Sequence, residues 1–260
     1  EGFSQDITSF STHKEHLKFT CLAQGLSPSP THFQAFVNKA FASLLFTDIL
    51  VYLDDILIFS RQGFSEMVVR LRKFFNICRE KNIKLNPKKC QFFLDEVELL
   101  GFTVNKNGIR PAESMVEKVK KFKSPTSAKL LRSILGFAGY FRHHIKGFAK
   151  LISPLLKILR EDPKKFLWNK EAEEAFQKLK QKLLSRPLLR HFDSDLPIEI
   201  HTDASNMGIG ACMMQICPIT RKPHAVAYAS RTLTKSEVNF SVSEKELLAV
   251  VFACQKWRNF

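Results

Sequence analysis

The sequence predicts an α+β protein in three segments, and three observations carry that reading. The apolar run from Ile49 to Phe59 is interrupted by two adjacent acids, Asp54 and Asp55. A stretch from Pro111 to Pro187 has helical periodicity and an excess of lysine, and from about Pro197 the pattern returns to alternating strands before a closing helix. With 260 residues, 45% of them hydrophobic, the chain has material for one large or two smaller domains.

In the first segment, Ile49-Leu50-Val51-Tyr52 and Ile56-Leu57-Ile58-Phe59 read as two short strands with the acids at the turn between them. Like charges a few ångströms apart repel by about 1 kcal/mol in water and by more near a protein interior. Desolvation adds to that cost, so a divalent cation, Mg²⁺ (or Mn²⁺), is the expected compensation. A solvated Asp-Asp turn without chemistry is the alternative. Apolar residues at Phe64, Met67, Val68, Leu71, Phe74, Phe75 and Cys78 then predict a helix from Phe64 to Lys81. Ile83 to Asn86 reads as the start of a strand, and Val97 to Val104 as a strand closed by a turn at Asn107-Gly108.

In the second segment, Ser124-Pro125-Thr126-Ser127 supplies helix-start chemistry ahead of Leu130, Leu131, Ile134 and Leu135. A further helix, Glu171 to Leu184, is expected to bury Ala175, Phe176, Leu179 and Leu183. Lysines and arginines such as Lys118, Lys121, Lys123, Lys129, Arg132, Lys146 and Lys150 dominate the polar positions. A solvated helix face accounts for part of this charge. The whole chain has 40 Lys and Arg against 25 Asp and Glu, a net charge of +15, which suits a polyanion and the salt sensitivity of phosphate contacts. A nucleic acid is favoured over a membrane, because no stretch approaches the roughly 20 apolar residues of a spanning helix.

The third segment reads as strands over Ile198 to Asp203, Ile209 to Ile216 and His224 to Ser230, with a turn at Asn206 to Gly210. Ser243-Glu244-Lys245-Glu246 is expected to cap a helix running to Trp257. The pattern breaks off at Phe260, so this domain is expected to be truncated. The six cysteines contain no C-x-x-C pair and read as reduced and structural, which suits an intracellular compartment. His13 with His16, and His143 with His144, lack the Cys or acidic neighbours of a metal site.

These residues together resemble the polymerase and ribonuclease H portion of an LTR retrotransposon or retrovirus polyprotein, of gypsy type. Tyr52-Leu53-Asp54-Asp55 is similar to the reverse-transcriptase Tyr-x-Asp-Asp box. The supporting stretches follow in family order: Gln24 to Gln34 before the box, then Leu85 to Cys90, Leu100-Gly101-Phe102 and Leu131 to Gly136, then Thr202-Asp203-Ala204-Ser205 and Glu244 to Val250. The resemblance implies a right-hand polymerase palm and thumb, partial and without fingers, followed by a truncated ribonuclease H-like α/β domain. On that reading residues 1–110 are a partial palm, 111–190 a basic helical thumb and connection, and 195–260 the ribonuclease H-like part.

The resemblance also implies roles. Asp54 and Asp55 would be two of the three palm carboxylates that hold metal, and Asp203 and Glu246 two of the ribonuclease H acids, with Glu244 competing for the second place. Gln24, Tyr52 and Phe3 would contact the nucleotide, Phe3 by leaving no room for a 2′-hydroxyl, although an ordinary core phenylalanine is the other reading of Phe3. Leu100, Gly101 and Phe102 would hold the primer end. The implied partners are an RNA or DNA template with primer, deoxynucleoside triphosphates and an RNA-DNA hybrid, in the cytoplasmic virus-like particle of a retroelement. The first palm carboxylate would lie before Glu1 and the remaining ribonuclease H acids beyond Phe260. Ala23, where the family has proline, is expected to loosen the loop of Gln24. A catalytically inactive remnant that only binds nucleic acid is the alternative, and the sequence leaves the oligomeric state open.

Overall fold

The computed structural model describes residues 6–60, 63–160, 166–218 and 220–260, which form two compact units, Glu1–Phe92 and Phe93–Phe260. The expected contact of Phe3 lies outside the described residues.

The first unit opens with two-residue strands β1 (Phe10–Ser11) and β2 (His16–Leu17), paired antiparallel. His16 meets Ser11 here, its Nδ1 lying 2.8 Å from the Ser11 hydroxyl. Helix α1 (Ser29–Ala40) follows, with proline in its first turn, where the missing N–H is no loss. The acidic run forms the hairpin of β3 (Ile49–Tyr52) and β4 (Asp55–Ile58). Helix α2 (Phe64–Glu80) then packs Phe74 and Cys78 against Val37, Phe41, Leu44 and Ile49. Phe41 and Phe74 stack at 5.0 Å between ring centroids in the middle of this core.

The strand expected at Ile83 to Asn86 does not form. Ile83 and Leu85 pack on the same core, but Asn86 accepts a hydrogen bond from the Lys88 amide and Pro87 opens a 3₁₀ turn, Pro87–Lys89. A residue that bonds its own backbone, followed by one with no N–H, ends any ladder.

In the second unit the strand expected over Val97 to Val104 is two strands, β5 (Glu96–Leu99) and β6 (Phe102–Asn105). Leu100 and Gly101 turn the chain with φ of 49° and 75°. β7 (Gly108–Pro111) completes a meander, and Ile109 exchanges backbone hydrogen bonds of 2.8 and 2.9 Å with Leu189. That approach requires glycine at position 108, where a Cβ would lie 2.0 Å from the Leu189 carbonyl oxygen.

Four helices follow: α3 (Glu113–Lys120), α4 (Ala128–Tyr140), α5 (Phe148–Arg160) and α6 (Lys170–Leu184). Ser127 caps α4 by accepting from the Leu130 amide, and Asn169 caps α6 by accepting from Ala172. Val119, Leu131, Phe141, Ile145, Leu155, Phe176 and Leu179 form their shared core.

The remaining chain is a three-stranded antiparallel sheet in the order β10 (Pro223–Thr232), β9 (Gly208–Ile216), β8 (Glu199–Ala204), with helix α7 (Val242–Lys256) on one face. Ile209, Ala211 and Met213 alternate towards that helix and meet Ala249, Ala253 and Trp257. The helix begins earlier than expected: Ser241, not Ser243, is the cap, and it forms a reciprocal capping box with Glu244. The opposite face of the sheet meets the helical segment, where the Ala149 amide donates to Ser230 Oγ at 3.0 Å and His143 Nδ1 lies 3.2 Å from the Tyr228 carbonyl.

His144 is 7% exposed, stacks on Phe102 at 4.9 Å, and among the described residues has no hydrogen-bond partner of good geometry at either ring nitrogen. Burial, with a smaller contribution from the neighbouring His143, pushes its pKa down from 6.5 to about 4, and the nearby Ile109 backbone offsets only part of that. Between those values the unfolded chain takes up a proton that the folded chain refuses, so stability is lost as pH falls from about 6.5 to about 4. The loss expected from this group is roughly 3 kcal/mol, read as a fall in urea midpoint between pH 7 and pH 4.5. His144→Leu should flatten that dependence, and an unchanged pH profile in the variant would show that another group is responsible.

Candidate functional sites

The acidic hairpin is a two-residue turn, Leu53-Asp54, closed by the pair Tyr52 and Asp55. Leu53 has a φ of 52°, a left-handed conformation that costs a branched residue roughly 1–2 kcal/mol. Gln34 on α1 offsets the strain. Its Oε1 accepts from the Leu53 amide at 2.6 Å, while its Nε2 donates to Asn38 Oδ1 at 2.7 Å and lies 3.4 Å from the Val51 carbonyl oxygen. At the other end of the hairpin Arg70 on α2 donates to the Thr47 and Phe59 carbonyls at 2.9 and 2.7 Å. It also pairs with Glu66 at 2.7 Å and Asp48 at 3.3 Å. The turn is thus fixed at its tip and at its base by side chains of two different helices.

Asp54 and Asp55 are both exposed, and among the described residues neither carboxylate makes an ion pair or a hydrogen bond. This corrects the electrostatic argument from sequence. Water reaches both carboxylates, so burial does not compel a cation, and the case for metal rests on geometry and donor chemistry. Four hard carboxylate oxygens on a rigid turn, uncommitted to any described partner, suit a cation that keeps several waters of its own. Among the described residues no three His, Cys, Asp or Glu side chains come together as a metal cluster.

Gln24 is exposed in the loop before α1. The loop is anchored where the sequence suggested slack, since Ala23 is buried and its carbonyl accepts the Ser29 hydroxyl at 2.7 Å. Tyr52, next to the acids, is 56% exposed. In the second unit, the Leu100-Gly101 turn is held by the Tyr140 hydroxyl, which donates to the Leu100 carbonyl at 2.7 Å. Phe102 is sandwiched between the rings of Tyr140 and His144, with Phe141 edge-on at 5.3 Å.

Asp203 lies on β8 opposite Gly210 of β9, and both Asp203 and Glu246 are exposed. Ala204 packs towards α7, so alternation turns Asp203 to the other face of the sheet, while Glu246 rides on α7 itself. Their elements are packed together, and each carboxylate is exposed. Glu244 is committed to the helix cap, where hydrogen bonds from Ser241 hold its carboxyl below the usual range, which leaves Glu246 as the acid available for a ligand.

Gln34, Arg70 and Tyr140 were missed as functional residues by sequence reasoning. The Glu66 and Arg70 spacing of four on a helix was a readable signal for one ion pair. The backbone contacts of Arg70, Gln34 and Tyr140 span 11 to 40 residues and left none.

Residues 2–104 match the family described as reverse transcriptase (RNA-dependent DNA polymerase), and residues 168–260 match the RNase H-like domain found in reverse transcriptase. The chain is 32% identical over 243 residues to the Transposon Tf2-3 and Tf2-7 polyproteins of Schizosaccharomyces pombe (strain 972 / ATCC 24843), a match covering 94% of this chain and 18% of each relative. It therefore spans less than a fifth of these relatives. Among solved structures it resembles the foamy viral protease-reverse transcriptase in complex with dsDNA, at 26% identity and a TM-score of 0.85 over 100% of this chain and 53% of that one. The same protein in complex with RNA/DNA hybrid matches at 27% identity and a TM-score of 0.82, over 98% and 34% of the respective chains.

Arg70→Met should destabilise the first unit by about 2–4 kcal/mol, because it removes the guanidinium that two carbonyls and two carboxylates share. Arg70→Lys should recover little, since a single ammonium cannot hold both carbonyls and Glu66 at once as the two arms of the guanidinium do. Urea denaturation of the purified chain measures both, and a loss in Arg70→Met below about 1 kcal/mol would mean the hairpin base is held by its strands alone.

Proposed function

We propose that this chain, whose residues 2–104 and 168–260 match the reverse-transcriptase and RNase H-like families in that order, is the polymerase and ribonuclease H region of a gypsy-type LTR retrotransposon. The reactions are RNA-directed DNA synthesis and hydrolysis of the RNA strand of an RNA-DNA hybrid. The observation that carries the reading is the pair of adjacent, exposed acids on a turn clamped at both ends. Support comes from the order of the two domains and from structural neighbours bound to dsDNA and to RNA/DNA hybrid.

Asp54 and Asp55 would hold Mg²⁺ (or Mn²⁺), with Asp54 the more direct ligand, and Asp203 with Glu246 would do so in the second unit. The metal, when bound, supplies activation of the attacking oxygen and neutralisation of the charge on the leaving group. The protein's own contribution is placement. The clamped turn keeps the two palm acids in fixed register beside Tyr52, whose exposed ring, with Gln24 and Phe3, would border the deoxynucleoside triphosphate. The Leu100-Gly101 turn presents backbone to the primer end, with Phe102 locked beneath it between two rings. The lysine-rich helices of residues 111–190 would follow the phosphates of the duplex, and residues 195–260 would act on the hybrid. A virus-like particle in the cytoplasm is the compartment that suits these partners; among the described residues no helix is long and apolar enough to cross a membrane.

The purified chain should bind an RNA-DNA hybrid with an affinity that falls linearly in log-log against salt, by a slope of about 0.9 for every phosphate neutralised. A flat salt dependence would remove the basic helices from the interface. In a polymerase containing this chain, Asp54→Asn should lower primer extension by roughly 10²-fold or more and leave hybrid affinity nearly unchanged, as expected for a group that acts only on the reacting charge. Extension that survives the substitution would refute the assignment. Hybrid binding without extension by any longer form would favour the second reading, a nucleic-acid-binding remnant.

A further inference from the structure

Lys245 is 6% exposed, an uncommon position for a lysine, and it lies between the two acids Glu244 and Glu246 on the first turns of α7. Its ammonium donates to Asn206 Oδ1 at 3.1 Å, across the turn that joins β8 to β9. That turn is built without it. The Ser205 amide and hydroxyl both donate to the Gly208 carbonyl, at 3.0 and 3.1 Å, and the Ser205 hydroxyl accepts from the amides of Met207 and Gly208. Asn206 is therefore a fixed acceptor three residues beyond Asp203. On the helix side, Ala249 and Ala253 have no exposure and let α7 seat closely on the sheet, while the Ser241 and Glu244 capping box fixes the first turn. Glu246 follows Lys245 by about 100° around the helix, on the shoulder of the stripe that Lys245, Ala249 and Ala253 bury.

We propose that Lys245 is a positioning residue for the ribonuclease H-like acids: anchored on Asn206, it ties the start of α7 to the β8–β9 turn and so sets where Glu246 stands relative to Asp203. The inference rests on the reading of Asp203 and Glu246 as a divalent-cation pair. Its consequence has a direction that simple electrostatics does not share. Removing a cation from the neighbourhood of a metal site strengthens metal binding by Coulomb attraction alone, whereas releasing an anchor weakens it.

The test is Mn²⁺ affinity, read from the electron paramagnetic resonance of free Mn²⁺, of the 260-residue chain carrying Asp54→Asn and Asp55→Asn so that the first acid pair does not contribute. Lys245→Met should weaken binding about tenfold, and Asn206→Ala, a change at an exposed side chain, should weaken it in the same direction. The double variant should be no worse than Lys245→Met, because the two side chains act as one unit. If Lys245→Met fails to fold, Asn206→Ala decides. Unchanged or tighter Mn²⁺ binding in the variants overturns the positioning role. Should Asp203→Asn leave the affinity of the parent unchanged, the cation-pair reading itself falls, and that result is distinguishable because it needs no change at Lys245.

Discussion

The first unit depends on holding a strained turn still. Leu53 occupies a backbone region that a branched side chain avoids, at the one place where the acids need a defined direction. Two strands of four residues do not fix such a turn by themselves, since a short isolated hairpin is at best marginally stable. Gln34 satisfies the amide of the strained residue, and Arg70 gathers the carbonyls where the strands begin and end. Both side chains come from helices whose own seats are the Phe41 and Phe74 stack and its surroundings, so the core of this unit is transmitted to the hairpin through hydrogen bonds to backbone. Exposure of Asp54 and Asp55 then costs little, because water solvates them wherever no cation does.

The second unit applies the same economy to the Leu100-Gly101 turn. Positive φ at both residues frees the carbonyl of Leu100 to point away from its own ladder, and Tyr140 takes it up from the end of α4. Phe102 is then closed in by Tyr140, Phe141 and His144, three residues contributed by one helix end and the 3₁₀ turn after it. Next to His144 in that turn, His143 reaches the Tyr228 carbonyl of β10, so a five-residue stretch of sequence touches both the meander and the large sheet. The adjacent histidines, which lack the sequence neighbours of a metal site, form a joint between two sheets.

How much of this was legible in the sequence follows from the range of the interactions. Helix α2, the α6 apolar stripe and the alternation of β9 depend on nearest neighbours along the element and were readable from periodicity. The misreadings occurred where one residue's local chemistry outweighs a pattern. Asn86 and Pro87 cancel a strand, the Leu100-Gly101 turn splits one, and Ser241 starts α7 before the Ser243 that looks equivalent. Sequence placed the acids on the correct elements but could not say that they would be exposed, nor that Asp203 and Glu246 would lie on different sides of β8, because burial and facing are set by partners far along the chain.

That facing has a physical consequence for how the two acids are held. One stands on a strand and the other on a helix packed against the sheet, so they keep a register only as well as the two elements do. Small residues bring α7 close, the cap fixes its first turn, and the contact from Lys245 to Asn206 ties its start to the β8–β9 turn. In both units, then, the side chains of these acids contribute no stabilising contact among the described residues, and the elements that carry them are held by neutral or basic side chains one element away, Gln34 and Arg70 in the first unit and Lys245 in the second.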